Sequence, residues 1–107
     1  MIWYNHLYTG ALAERRRVSV IQKLRERKAA SYVYVIVPAS NPKNLLDIYS
    51  APELFALEDR GVEQKFLILG IALGYREALT LASEMVQEVY QETGGFAIRE
   101  YLGIEQA

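Results

Sequence analysis

From Phe66 to Leu73 the run FLILGIAL is apolar at both alternating sets of positions, with Phe66, Ile68, Gly70 and Ala72 on one side and Leu67, Leu69, Ile71 and Leu73 on the other. A strand of that kind is covered on both faces. After Gly74 the period changes: Tyr75, Ala78, Leu79, Ala82, Met85, Val86, Val89 and Tyr90 follow the i, i+3, i+4, i+7 spacing of one helical stripe. Arg76, Glu77, Thr80, Ser83, Glu84, Gln87, Glu88, Gln91 and Glu92 fill the polar side, a solvated face. Thr93-Gly94-Gly95 stops the helix, since glycine adopts the left-handed C-terminal cap without a side-chain clash.

The same reading places a first strand at Ile2 to Tyr8 and, after Thr9-Gly10, a helix from about Ala11 to Lys28. Ala13, Val20, Ile21 and Leu24 form its narrow apolar stripe, so it lies on the surface with one edge buried. YVYVIV, Tyr32 to Val37, is a second strand with two apolar faces, ended by Pro38. The 27 residues from Pro38 to Gln64 carry two helix-start signals, Asn41-Pro42 and the capping box Ser50-Ala51-Pro52-Glu53. They predict short helices at Asn44 to Tyr49 and Glu53 to Asp59, the second stopped near Gly61. Phe96 to Leu102 reads as a last, amphipathic edge strand, and Gly103 to Ala107 as a loose tail.

A helical connection between the second and third strands argues for a crossover. The expected fold is therefore a single α/β domain over residues 1–107, a four-stranded, mainly parallel sheet with helices on both faces. The alternative is an α+β ferredoxin-like βαββαβ sandwich, in which the short helices decorate a long hairpin. In the sandwich the first and last helices share a face; in the parallel sheet they lie on opposite faces, and a thinly covered face calls for a second subunit.

Composition narrows the chemistry. With no cysteine there is no disulfide, thiolate nucleophile or cysteine metal site, which suits a reducing cytoplasm. MIWYNHLYTG lacks the features of a signal peptide and no apolar run reaches the length of a membrane span, so a cytoplasmic protein without a membrane partner is expected. Net charge is −1, but Glu14 to Lys28 holds seven bases against two acids, a balance of +5, and the remainder five against eleven, a balance of −6. Arg15, Arg16, Arg17, Lys23 and Arg27 form a basic patch that can draw an acidic partner or be neutralised within the molecule. Arg15 to Arg17 stand near the positive end of their helix, where bases are mildly unfavourable.

In an open parallel sheet, ligands bind beyond the carboxyl ends of the strands. Loops 8–10, 38–43 and 70–76 would meet there, offering Thr9, Gly10, Ser40, Asn41, Lys43, Gly74, Tyr75 and Arg76 to a small anionic ligand. Gly70 and Gly74 match neither the phosphate loop nor the dinucleotide fingerprint, and serve close packing and a tight turn. His6 is the only histidine; flanked by Trp3, Tyr4 and Tyr8, it reads as a semi-buried strand residue rather than a metal ligand. No metal, cofactor or catalytic residue is expected. Trp3, Tyr4, Tyr8, Tyr32, Tyr34 and Tyr49 are candidates for an aromatic interface, and core packing accounts for them equally well.

The segment GYREALTLASEMVQEVYQETGGFAIREYL, with the YNHLY start and the ASNP loop, resembles an uncharacterised family of small bacterial α/β proteins. The resemblance runs from Tyr4 to Leu102 and implies a stand-alone bacterial domain, with no activity attached. Three functional readings follow. The first is a non-enzymatic homodimeric interaction module, using the tyrosine-rich sheet or the segment Asn44 to Leu57. The second is anionic metabolite binding at the loop edge. The third is nucleic-acid binding through the basic helix, against which stand a pI of about 5.8 and bases spread around the helix.

Overall fold

The computed structural model describes residues 1–41, 43–61 and 65–104. The doubly apolar run forms strand β4 (Leu67–Leu73) at an interior position, between β1 (Ile2–Thr9) and β2 (Val33–Pro38). The fourth strand, β3 (Leu46–Ser50), lies outside β2, giving the order β1-β4-β2-β3. Among the described residues only β1 and β4 pair in parallel; β2 is antiparallel to both β4 and β3. The sheet is thus mixed rather than mainly parallel.

The reason lies in residues 44–49, expected as a short helix. Leu46 and Ile48 turn toward one side of the sheet and Tyr49 toward the other, the period of a strand. The segment folds back on β2 as a hairpin in unbroken register, from Tyr34 opposite Ser50 to Pro38 opposite Leu46. Pro42, expected in a first helical turn, lies outside the described residues. The helical crossover comes one strand later, where α3 (Ala51–Asp59) carries the chain from β3 past β2 to β4, which runs in the same direction as β3. Its capping box forms as expected: the Ser50 hydroxyl accepts from the Glu53 N–H at 3.3 Å, and the Glu53 carboxylate accepts from the Ser50 N–H at 2.8 Å.

Helices cover both faces. On the first face, α1 (Ala11–Arg15), α2 (Arg17–Arg25) and α3 bury Ala13, Val20, Leu24 and Leu54 against Val33, Val35, Val37, Ile68 and Ile71. The long helix α4 (Tyr75–Thr93) and the short α5 (Ile98–Leu102) cover the second, burying Leu81, Met85, Val89, Ile98 and Leu102 against Ile36 and Leu69. The basic and acidic helices therefore stand on opposite faces. Up to β4 the element order is that of a ferredoxin-like sandwich, but the strand order and the second helical layer are not.

Four local departures have physical causes. The first helix breaks at Arg16 (φ −123°), within the arginine triplet that opposes the helix dipole. It ends in a Schellman motif, with Lys28 N–H donating to the Lys23 carbonyl and Arg27 N–H to the Leu24 carbonyl. The left-handed position (φ 57°) holds Arg27 instead of glycine, and its guanidinium is fastened to Glu58 (2.9 Å) and Asp59 (2.7 Å) on α3. In β4 the alternation changes phase between Leu69 and Gly70: Ile68, Ile71 and Leu73 share the first core, whereas Gly70 faces Leu81 of the second. A Cβ on Gly70 would stand 3.2 Å from Leu81 Cδ2, so the flip lets α4 close on the sheet. Phe96 to Leu102 is not an edge strand, because Ile98 and Leu102, four residues apart, bury one helical face between the glycines at 94–95 and 103. Of the expected tail, residues 105–107 lie outside the described residues.

Candidate functional site

The three loops expected at one edge are split between two. β1 and β4 end together, with Gly10 N–H donating to the Ile71 carbonyl at 3.0 Å, so Thr9 and Gly10 lie at the same sheet edge as Gly74, Tyr75 and Arg76. Because β2 runs the other way, its start meets this edge and Gly74 N–H donates to Tyr32 O at 2.7 Å. Ser40, Asn41 and Lys43 lie at the opposite end, in the β2–β3 hairpin loop. There Ser40 N–H donates to Asp47 (3.2 Å) and Lys43 N–H to the Asn41 side chain (2.9 Å).

The remaining cradle holds an anion of the chain's own. Glu77, in the first turn of α4, is half-buried rather than solvated; one carboxylate oxygen accepts from Leu12 N–H at the start of α1, the other from Leu73 N–H at the end of β4. Gly10 makes room for it: a Cβ there would collide with Cδ and Cγ of Glu77. Thr9 is engaged as well, donating to Glu14, whose carboxyl it holds below the ordinary range, with Arg17 at 3.3 Å assisting. The cradle is thus a clamp between β1, β4, α1 and α4. Two sequence signals mark it, an acidic residue in the first turn of a helix and a glycine at the close approach.

The aromatic candidates do not form one patch. Trp3 and Tyr49 pack in the first layer, Trp3 under the Arg25 guanidinium (5.6 Å) and Tyr49 against Phe66 (6.0 Å). Tyr4 and Tyr8 belong to the second, their rings stacked at 6.5 Å. Tyr4 OH donates to the Leu102 carbonyl (2.9 Å), while Tyr8 (2.7 Å) and Tyr101 (2.9 Å) donate to one oxygen of Glu88, fastening α5 and β1 to α4. His6 is exposed, with its ring 6.0 Å from Tyr4, and among the described residues no three His, Asp or Glu side chains gather as metal ligands. Tyr32 is exposed, and Tyr34 packs beside Tyr75.

The hydroxyl cluster makes stability alkali-sensitive. Burial first, then the Glu88 bond, pushes the Tyr8 phenol far above its ordinary value of 10.0; Tyr101, through the Glu88 bond, and Tyr4, through burial, are raised too. In the unfolded chain these phenols ionise near pH 10 while the folded chain keeps their protons, so stability falls as pH rises through that value. Melting temperature should be insensitive to these phenols below about pH 9 and decline above about pH 10. Tyr8→Phe should make that decline shallower, and equal slopes for the two chains would show that Tyr8 is not held this way.

The basic patch is partly absorbed within the molecule. Arg27 is held by Glu58 and Asp59 and lies over Phe55, and Arg17 is paired with Glu14; Arg15, Arg16 and Lys23 remain exposed.

The feature that strand and helix patterns do not reveal is a groove of about 520 Å³ between α4 and β3, lined by Leu45, Leu46, Leu79, Ala82, Ser83, Val86, Gln87, Tyr90 and Phe96. A helix about 10 Å across cannot roof four strands spaced about 4.8 Å apart. Helix α4 centres on Ala78, Leu81, Met85 and Val89, so the half of its apolar stripe nearer β3 stays open. Leu79 is 45%, Tyr90 52% and Phe96 55% exposed, the last two rings stacked at 5.2 Å. No family model matches the chain, and neither does any curated protein or solved structure. Among the described residues no helix is long and apolar enough to cross a membrane.

Proposed function

We propose that this chain is a non-enzymatic interaction module that works as a homodimer, joined through the open flank of α4 and the neighbouring β3. The observation that carries the reading is the apolar groove, flanked by three large side chains each about half exposed. A fully exposed aromatic side chain presents about 200 Å². Tyr75, Leu79, Tyr90 and Phe96 together thus offer about 400 Å², half of the roughly 800 Å² per partner of a standard interface. Leu45, Val86 and the β3 edge supply more. Seen from α4 the flank holds one charge: Tyr75, Leu79, Ala82, Ser83, Val86, Gln87 and Tyr90 carry none, Arg76 stands on the same arc in the first turn, and Glu84, Glu88 and Glu92 stand elsewhere on the helix. From Leu79 to Tyr90 two copies can therefore meet without opposing like charges. The lack of cysteine supports a cytoplasmic setting.

Light scattering on a sizing column at tens of micromolar should give twice the chain mass at both low and high salt, since apolar burial is not screened. Leu79→Glu should give a folded monomer. A wild-type monomer under both conditions would overturn the reading.

A further inference from the structure

We infer that the two copies join edge to edge: β3 of one protomer pairs antiparallel with β3 of its partner about a two-fold axis near Ile48, extending the sheet to eight strands. The inference rests on the homodimer reading and adds its geometry. Of the two sheet edges, β1 is guarded. Between the pairs Trp3–Ile68 and Tyr8–Gly70 it advances five residues while β4 advances two, and the distorted stretch carries exposed Asn5 and His6. Irregular register and polar residues are how proteins keep an edge from pairing.

β3 is less guarded. Its five consecutive pairs with β2 are regular, it holds no lysine, arginine or proline, and Asp47 is its one charge. Asp47 also accepts from Ser40 and Tyr49 of its own chain, which turns the carboxylate to local use. A two-fold axis requires the same strand from each copy, running antiparallel. With Ile48 opposite Ile48 of the partner subunit, the two α4 helices lie on the same face and their grooves meet across the axis. Leu79, Val86, Tyr90 and Phe96 from both copies then close one apolar layer over Leu46 and Ile48, where a single helix falls short. The edge supplies backbone hydrogen bonds and the groove supplies apolar area, and both sit on the same side of the molecule.

The chain has no cysteine, so a single introduced thiol reports its own surroundings. Directly opposed residues of an antiparallel ladder have Cα atoms about 4.5–5.5 Å apart, within disulfide reach. Under mild oxidation with copper phenanthroline, Ile48→Cys should become covalently dimeric at least tenfold faster than Asn5→Cys on the β1 edge. The unmodified chain gives a second reading by hydrogen exchange: protection of amides 46–50 should rise with protein concentration, while that of amides 2–9 stays constant. If light scattering shows a dimer but Asn5→Cys cross-links faster, or amides 2–9 respond instead, the edge-to-edge geometry is wrong and the homodimer stands. If light scattering shows a monomer, both fall together.

Discussion

Glu77→Ala should lower the melting temperature by roughly 15 °C, the largest loss expected from any side chain outside the two cores. The carboxylate accepts backbone N–H groups from Leu12 and Leu73, one on each oxygen, and hydrogen bonds to a charged group contribute about 1.5–3 kcal/mol each. Leu12 N–H is open enough for water to replace Glu77, so the cost falls mainly on the part-buried Leu73 N–H and on the lost tie between α1 and α4. A net loss of about 3 kcal/mol follows, and each kcal/mol moves the melting point of a domain near this size by about 4–8 °C. Glu77→Gln keeps one oxygen acceptor but turns an NH₂ toward a second N–H, so about half the loss should remain. The partner change tests the geometry. Gly10 has an ordinary φ of −68°, so alanine there is excluded by Glu77 and not by the backbone. Gly10→Ala should be strongly destabilising in the native chain and nearly silent beside Glu77→Ala, a coupling of more than 1 kcal/mol on the scale of contacting residues. Additive effects, or a Glu77→Ala melting point within about 3 °C of the native chain, would remove the clamp from the account.

How far the sequence discloses this molecule depends on whether a feature is local. The Leu67–Leu73 strand, the Tyr75–Thr93 helix and the Ser50–Glu53 capping box are legible because hydrophobic period, glycine stops and cap chemistry lie within a few residues of one another. Leu46–Ser50 is ambiguous along the chain: five residues give too few periods to separate strand from helix, and the hairpin with β2 decides. Ile98–Leu102 has the same ambiguity, resolved by the burial of Ile98 and Leu102 under α4. The phase flip at Gly70 is invisible along the chain because what it meets, Leu81 of α4 and the irregular register of β1, lies on other elements. Glu77 sits on the polar side of its helical wheel and turns inward only because Gly10, 67 residues earlier, opens a space there. At the loop edge the N–H groups of Leu12 and Leu73 are taken by Glu77, an anion of the chain's own that its place on the polar side of the helix does not announce.

Layering decides the second large effect. Leu54 on α3 and Met85 on α4 are 0% and 2% exposed and belong to cores on opposite sides of the sheet. Truncating either to alanine costs about 3 kcal/mol, within the range of 2–5 for buried leucine and methionine. Because β2 and β4 stand between them, the double variant should lose the sum to within about 0.5 kcal/mol, as expected for sites without shared partners. That sum, about 6 kcal/mol, would bring a domain of ordinary stability to the margin of folding. Denaturant titration of the two single variants and the double variant measures it; a shortfall beyond 1 kcal/mol would mean one continuous core. The two losses should differ in another respect. If two copies associate through α4 and β3, melting temperature rises with protein concentration, because association draws on the folded state alone. Leu54→Ala leaves the α4 flank intact and should keep that dependence, whereas Met85→Ala removes the support on which α4 rests and should weaken it. The helix that closes the second core is then also the one that presents the interface, which ties the stability of the protomer to its association.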